Sequence, residues 1–179
     1  EKTPSNCLRI PFIHAIYPSA KFIFVTRDGR AVLRSTGNIL ESGMQGRRIF
    51  MRARQTPLWE WPAFIPQAWE GLASRMLRRR MRYWGPRPIG WQAWVKEESP
   101  EIVLARQWSA TMTRACRDLQ SLPSGSCYQY TYEDMMDRPG DIMQEIVDFA
   151  ELPAGKALID RAVQSADPSR KDAWRSQLD

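Results

Sequence analysis

Histidine is nearly missing from this chain: His14 is the one example in 179 residues. A Ser-His-Asp relay would have to run through that single imidazole. His14 also lies inside an apolar pattern of Leu8, Ile10, Phe12, Ile13 and Ile16, so it is expected to be packed rather than catalytic. Cysteine is scarce as well. Cys7, Cys116 and Cys127 show no CxxC or metal-ligand spacing, and an odd count does not make a disulfide framework, so structural thiols are expected. One histidine and no cysteine pair argue against a zinc site. No stretch approaches the ~18 uninterrupted apolar residues of a membrane span. No charged-then-apolar leader opens the chain. It starts at Glu1 without Met, so a fragment or processed product is expected, and the compartment is left undetermined.

Acidic residues are rare in one place. Between Arg47 and Arg87 ten arginines face only Glu60 and Glu70, so the basic character of a chain with net charge +6 is local. The same neighbourhood, from Glu41 to about Glu98, holds Pro57, Pro62, Pro66, Pro86 and Pro88 among six tryptophans. Its texture predicts an excursion of short helices and loops (residues 41–98) within one domain spanning 1–179. Arg75, Arg78, Arg79 and Arg82 fall at i, i+3, i+4 and i+7, one helix face. Cations and indole faces suit an anionic acceptor or a stacking sugar or aromatic group, or single-stranded nucleic acid. A solvated basic face beside buried tryptophan anchors is the plainer reading and the one favoured for this segment. A hydrophobic share of 43% with eight Trp predicts a folded globule rather than a disordered chain.

Regular patterning surrounds the excursion. Residues Thr3 to Tyr17 read as a helix with Pro4 in its first turn and Pro18 beyond its end. Lys21-Phe-Ile-Phe-Val-Thr26 is an apolar, β-branched and aromatic run, the composition of a buried parallel strand. A helix is predicted next, with Asp28 as N-cap and a stripe of Val32, Leu33, Thr36, Ile39 and Leu40. Arg27 then stands at the carboxyl end of a strand, where open α/β sheets hold ligands. Its guanidinium and the Ser35 hydroxyl can converge on a phosphate. Arg27 paired with a carboxylate and Ser35 as an ordinary helix hydroxyl are the plainer alternative. From Pro100 a long helix shows Leu104, Trp108, Met112, Ala115, Leu119 and Leu122 on one face. After the breaker cluster Leu122–Ser126, Cys127–Tyr132 reads as a second strand. An amphipathic helix with Ile142, Ile146, Val147 and Phe149 follows, then a short helix around Leu158–Val163 and a polar tail. Strands alternating with helices predict an α/β fold, a parallel sheet flanked by helices.

Tyr17-Pro-Ser-Ala-Lys-Phe-Ile-Phe-Val-Thr-Arg-Asp-Gly-Arg-Ala-Val-Leu-Arg-Ser35 resembles the 3′-phosphate-binding segment of the PAPS-dependent sulfotransferases, in the tyrosylprotein, heparan and bacterial branch. The resemblance implies a P-loop-nucleotide-kinase-like sulfotransferase fold, incomplete at its amino end, and PAPS as sulfonate donor with no metal. It puts Arg27 and Ser35 on the 3′-phosphate. Glu1-Lys2-Thr3-Pro4 is similar to the family segment supplying the catalytic base, which makes Glu1 the base and Lys2 the cation on the sulfonate; a solvated chain-end acid is the alternative. Tyr132-Glu133-Asp134 resembles the family's Tyr-Glu-Asp block and makes Tyr132 an adenosine contact, with Glu133 and Asp134 capping or pairing. Ser169-Arg170-Lys171 and Trp174-Arg175 look like the late basic loop over the 3′-phosphate, although Asp172-Ala173 intervenes. That leaves Arg170, Lys171 and Arg175 as alternative cations. Trp84-Gly-Pro-Arg87 has the look of a bacterial sulfotransferase loop without an assignable role. The family's Gly-rich 5′-phosphosulfate loop is not found in the sequence.

The implied reaction carries a sulfonate to a hydroxyl or amine of a peptide, carbohydrate or small-molecule acceptor, anionic if the basic segment receives it. Nucleic acid is not an expected partner on this reading. A polyanion- or nucleic-acid-binding module, or an inactive relative, stands as the alternative.

Overall fold

The computed structural model describes residues 1–42, 83–153 and 155–175. Most of the Trp- and Arg-rich segment, including the arginine face at positions 75, 78, 79 and 82, lies outside the described residues. The chain forms two compact units, one of residues 1–32 and 108–179 and one of residues 33–107.

The first unit opens with a 3₁₀ turn, Pro4–Leu8, followed by helix α1, Ile10–Ile16. The single helix expected over Thr3–Tyr17 is therefore broken at Arg9, whose φ of −129° and ψ of 14° are not helical. Pro11 is the physical cause. Proline lacks an N–H and its ring collides with the carbonyl four residues back, so it is tolerated only in a helix's first turn. Strand β1, Phe22–Thr26, follows, and helix α2, Gly29–Ser42, starts after a two-residue link.

Asp28 caps α2 as expected, its Oδ1 accepting the backbone N–H of Arg30 at 2.8 Å. The expected apolar stripe faces inward, with Thr36 and Leu40 buried beside Ala31. Helix α3, Trp91–Glu97, and the long helix α4, Pro100–Gln120, come next in chain order. Strand β2 is Cys127–Thr131. The expected strand residue Tyr132 is instead the first residue of helix α5, Tyr132–Asp137. A capping box ends the strand: the Thr131 hydroxyl accepts from the Asp134 N–H at 2.9 Å, and the Asp134 carboxylate receives the Thr131 N–H. Helices α6, Pro139–Ala150, α7, Gly155–Ser165, and α8, Ser169–Asp172, complete the order. The stretch read as a polar tail thus contains a short helix.

β1 and β2 pair in parallel, with Phe22 opposite Cys127 and Thr26 opposite Thr131. Phe24 is buried with Ile10, Ala115 and Leu119, and Cys7, Phe22, Met112, Leu122 and Cys127 pack around them. The stripe read from sequence along α4 and just past its end supplies four of these residues, Met112, Ala115, Leu119 and Leu122. The three cysteines are free thiols. Burial pushes the Cys7 and Cys127 thiols above their ordinary value. β1 departs from the fully buried strand its composition suggests, because Ile23 and Val25 are 43% and 45% exposed. Among the described residues only the Phe22 and Phe24 face of β1 meets the core. His14 is half-buried, and its Nε2 is enclosed without a hydrogen-bond partner.

In the second unit, the Trp84–Pro86 loop is pinned by a buried glutamine. The Gln107 amide donates to the carbonyls of Trp84 and Pro86 at 2.8 Å each. Gly85 between them has φ +102°, and a Cβ there would stand 3.0 Å from Gln107 Nε2. The Tyr83 and Trp91 rings stack at 4.6 Å, and Arg87 lies 5.1 Å over Trp91.

Candidate functional site

The strand register builds the site. Thr26 and Thr131 are paired at the carboxyl ends of β1 and β2, so Arg27 and Tyr132 leave the sheet side by side. The Arg27 guanidinium lies over the Tyr132 ring at 4.1 Å. One of its terminal nitrogens donates to the backbone carbonyl of Arg170 at 3.2 Å. Its Nε is enclosed without a partner. Among the described residues Arg27 has no carboxylate at ion-pair distance. An arginine so placed keeps donors for an anionic oxygen.

Neighbouring side chains fix that strand end. Glu133 Oε1 accepts the N–H of Asp28 at 3.3 Å, which joins the ends of the two strands a second time. Asp28 holds Arg30 through both carboxylate oxygens, at 3.1 and 2.7 Å. Arg30 in turn lies 4.4 Å over the ring of Trp174, which is 8% exposed. The segment from Ser169 to Arg175 is thereby docked beside β1 and α5. Lys171 Nζ reaches Asp137 Oδ2, at the end of α5, at 2.5 Å. Arg170 pairs with Asp167 at 3.2 Å and Arg175 with Asp172 at 3.0 Å.

Electrostatics follow this geometry. The Arg30 side chain beside Asp28, with the N–H groups of Arg30 and Ala31, holds the Asp28 carboxyl down to about 2. An unfolded aspartate titrates near ~3.9. The cap's contribution to stability is therefore complete above that value and is lost as pH falls through about 2. NMR titration should place the Asp28 carboxyl midpoint near 2; an ordinary aspartate midpoint would mean that the Arg30 clamp is absent in solution. Hydrogen bonding to Asp137 raises the Lys171 ammonium.

Of the residues singled out from sequence, Arg27, Tyr132 and the backbone carbonyl of Arg170 thus come together, while the Arg170 and Lys171 side chains turn to Asp167 and Asp137. Ser35 is exposed on α2, in the second unit. Glu1 and Lys2 are exposed, and the Glu1 carboxylate accepts from the Asn6 side-chain amide. No described bond joins either to Arg27. Sequence reasoning missed the Arg30–Trp174 stack and Asp137. The aromatic-basic pair Trp174-Arg175 drew attention to the right segment, but nothing local links it to a residue more than 140 positions earlier.

Residues 1–84 match the model of the sulfotransferase family. A Caenorhabditis elegans protein named "Putative protein-tyrosine sulfotransferase" is 23% identical over 158 residues, which cover 88% of this chain and 41% of that relative. Together these matches support a sulfotransferase family for the chain. The chain spans about two fifths of the length of that curated relative. No solved structure matches significantly. The sulfotransferase match includes β1, Arg27 and Ser35, whereas Tyr132 and the Ser169–Arg175 segment fall beyond residue 84. The α/β architecture with its two-stranded parallel sheet is compatible with a sulfotransferase fold. Among the described residues no helix is long and apolar enough to cross a membrane.

Proposed function

We propose that this protein is a PAPS-dependent sulfotransferase, built on a P-loop-nucleotide-kinase-like fold, that acts on a hydroxyl or amine of an acceptor. The observation that carries the reading is Arg27: a guanidinium at the shared strand end, 4.1 Å over the Tyr132 ring, with its Nε enclosed and unpaired. A buried donor without a partner is costly, and an anionic oxygen satisfies it. The backbone carbonyl of Arg170 accepts from the guanidinium, and Lys171 follows Arg170 in the chain with its ammonium on Asp137. Ser35, a hydroxyl for the same phosphate, and Tyr132, a ring for the adenosine, are the further nucleotide contacts that the family resemblance implies.

When bound, PAPS supplies the sulfonate. Glu1, accepting the acceptor's proton, makes its oxygen or nitrogen nucleophilic. Lys2 offsets charge on the sulfonate oxygens, as cations do in phosphoryl transfer. Arg27, with Lys171 or Arg170, holds the 3′-phosphate and so orients the donor. On this reading the basic and aromatic residues of the 41–98 segment, most of them outside the described residues, receive the acceptor.

Calorimetric titration of the full chain tests the nucleotide assignment. Adenosine 3′,5′-bisphosphate should bind about tenfold or more tightly than adenosine 5′-monophosphate, the gain expected of charge-assisted bonds to one added phosphate. Equal affinity for the two nucleotides, with binding that collapses as salt rises, would instead favour a polyanion-binding module.

A further inference from the structure

Among the described residues every cation of the docked segment already has an acid of its own, and Arg27 does not. Arg170 faces Asp167, Lys171 faces Asp137 and Arg175 faces Asp172. Asp167 and Asp172 lie within three residues of their partners and travel with the segment. Asp137 is different. It belongs to α5, on the far side of the Tyr132 helix turn, and is 34 residues away in sequence. Its charge is fixed to the site whether or not the segment moves.

We infer that Asp137 is a built-in counter-anion that competes with an incoming phosphate for Lys171 and so lowers the affinity of the site. The inference rests on the nucleotide reading of Arg27 and goes beyond it. Its physical basis is a balance of two roles. Asp137 can hold the segment in place, or it can repel and compete with a second anion. The segment does not depend on Asp137 for its position, because Trp174 is buried under Arg30 and Arg27 bonds the Arg170 carbonyl. The Asp137 and Lys171 side chains are 50% and 32% exposed, and partly exposed ion pairs contribute little to stability. Competition is then the larger effect. Glu133 and Asp172 add to the negative potential at Lys171, so a phosphate meets a lysine already surrounded by acids. Weakened holding of a nucleotide product suits an enzyme that must release it each cycle.

Removing one negative charge while keeping the hydrogen-bonding shape isolates the effect. Asp137→Asn should bind adenosine 3′,5′-bisphosphate about twofold to fivefold more tightly than the parent, the size of effect seen for one partly screened charge. Asp137→Ser should do the same, which covers a folding defect specific to asparagine. Asp137→Glu, which restores the charge, should return to parental affinity. In a Lys171→Met background Asp137→Asn should no longer tighten binding. Unchanged or weaker binding by both neutral variants, or tightening that persists without Lys171, overturns the inference. The nucleotide reading fails separately: it falls if the parent does not bind the bisphosphate, or if Arg27→Ala binds as well as the parent.

Discussion

Arg27→Ala should reduce affinity for adenosine 3′,5′-bisphosphate by about a hundredfold and leave the fold nearly intact. Hydrogen bonds to charged groups contribute about 1.5–3 kcal/mol each, or roughly 10- to 150-fold. The guanidinium brings a fork of donors, one of them, Nε, enclosed and unpaired. On the folding side the substitution removes the stack on Tyr132 and the bond to the Arg170 carbonyl. A partly exposed cation–π contact is worth only about 0.5–1 kcal/mol, and deleting the arginine also relieves its unsatisfied Nε. Binding therefore suffers far more than stability. Arg27→Lys keeps the charge but not the planar fork, so its affinity should fall between the two. Parallel titrations and thermal melts of the three proteins measure both quantities. A variant that melts early and binds normally would place Arg27 among structural residues.

Trp174→Ala should give the largest loss of stability near the site. Truncating a buried tryptophan costs about 3–5 kcal/mol. Trp174 is 8% exposed and carries Arg30 on its ring, so a loss of about 3 kcal/mol is expected at the lower end of that range. In a chain of this size about 1 kcal/mol moves the melting temperature by roughly 2–4 °C. The drop should therefore approach ten degrees. Release of the Ser169–Arg175 segment should also open it to limited proteolysis and weaken nucleotide binding, because the Arg170 carbonyl would no longer hold the Arg27 guanidinium at the strand ends and Lys171 would leave Asp137. A urea-unfolding series together with a protease time course checks this. Stability within 1 kcal/mol of the parent and unchanged proteolysis would show that the segment is not docked in solution.

Tyr132, Arg170 and Lys171 were singled out only by resemblance to family blocks, whereas the strand-end place of Arg27 was legible because its signals are local: a strand composition and an N-cap. The α4 stripe and the buried positions of α6 were legible for the same reason, since helical spacing alone selects Ile142, Ile146 and Val147. What was not legible depends on distance along the chain. Arg30 carries no signal of its own in the sequence, and Trp174 belongs only to a family-like block; their stack exists because two segments at opposite ends of the chain meet. Asp137 went unnoticed because a single acid at a helix end has no pattern. The break at Arg9 is another kind of case. Pro11 announced it, but the continuous apolar spacing around it suggested one helix. For β1, composition described a strand covered on both faces, whereas coverage is a property of neighbours, and Ile23 and Val25 show an exposed face.

The parallel register has a consequence for how this site can vary. Arg27 and Tyr132 meet because each is the first residue after a five-residue strand whose ends are flush. Side chains alternate faces along a strand, so adding or deleting one residue in either strand turns its terminal side chain to the opposite side. Substitutions within Phe22–Thr26 or Cys127–Thr131 can be absorbed by repacking; a change of length cannot. The two strands act as matched rulers, and the anion site is specified as much by counting residues as by choosing them.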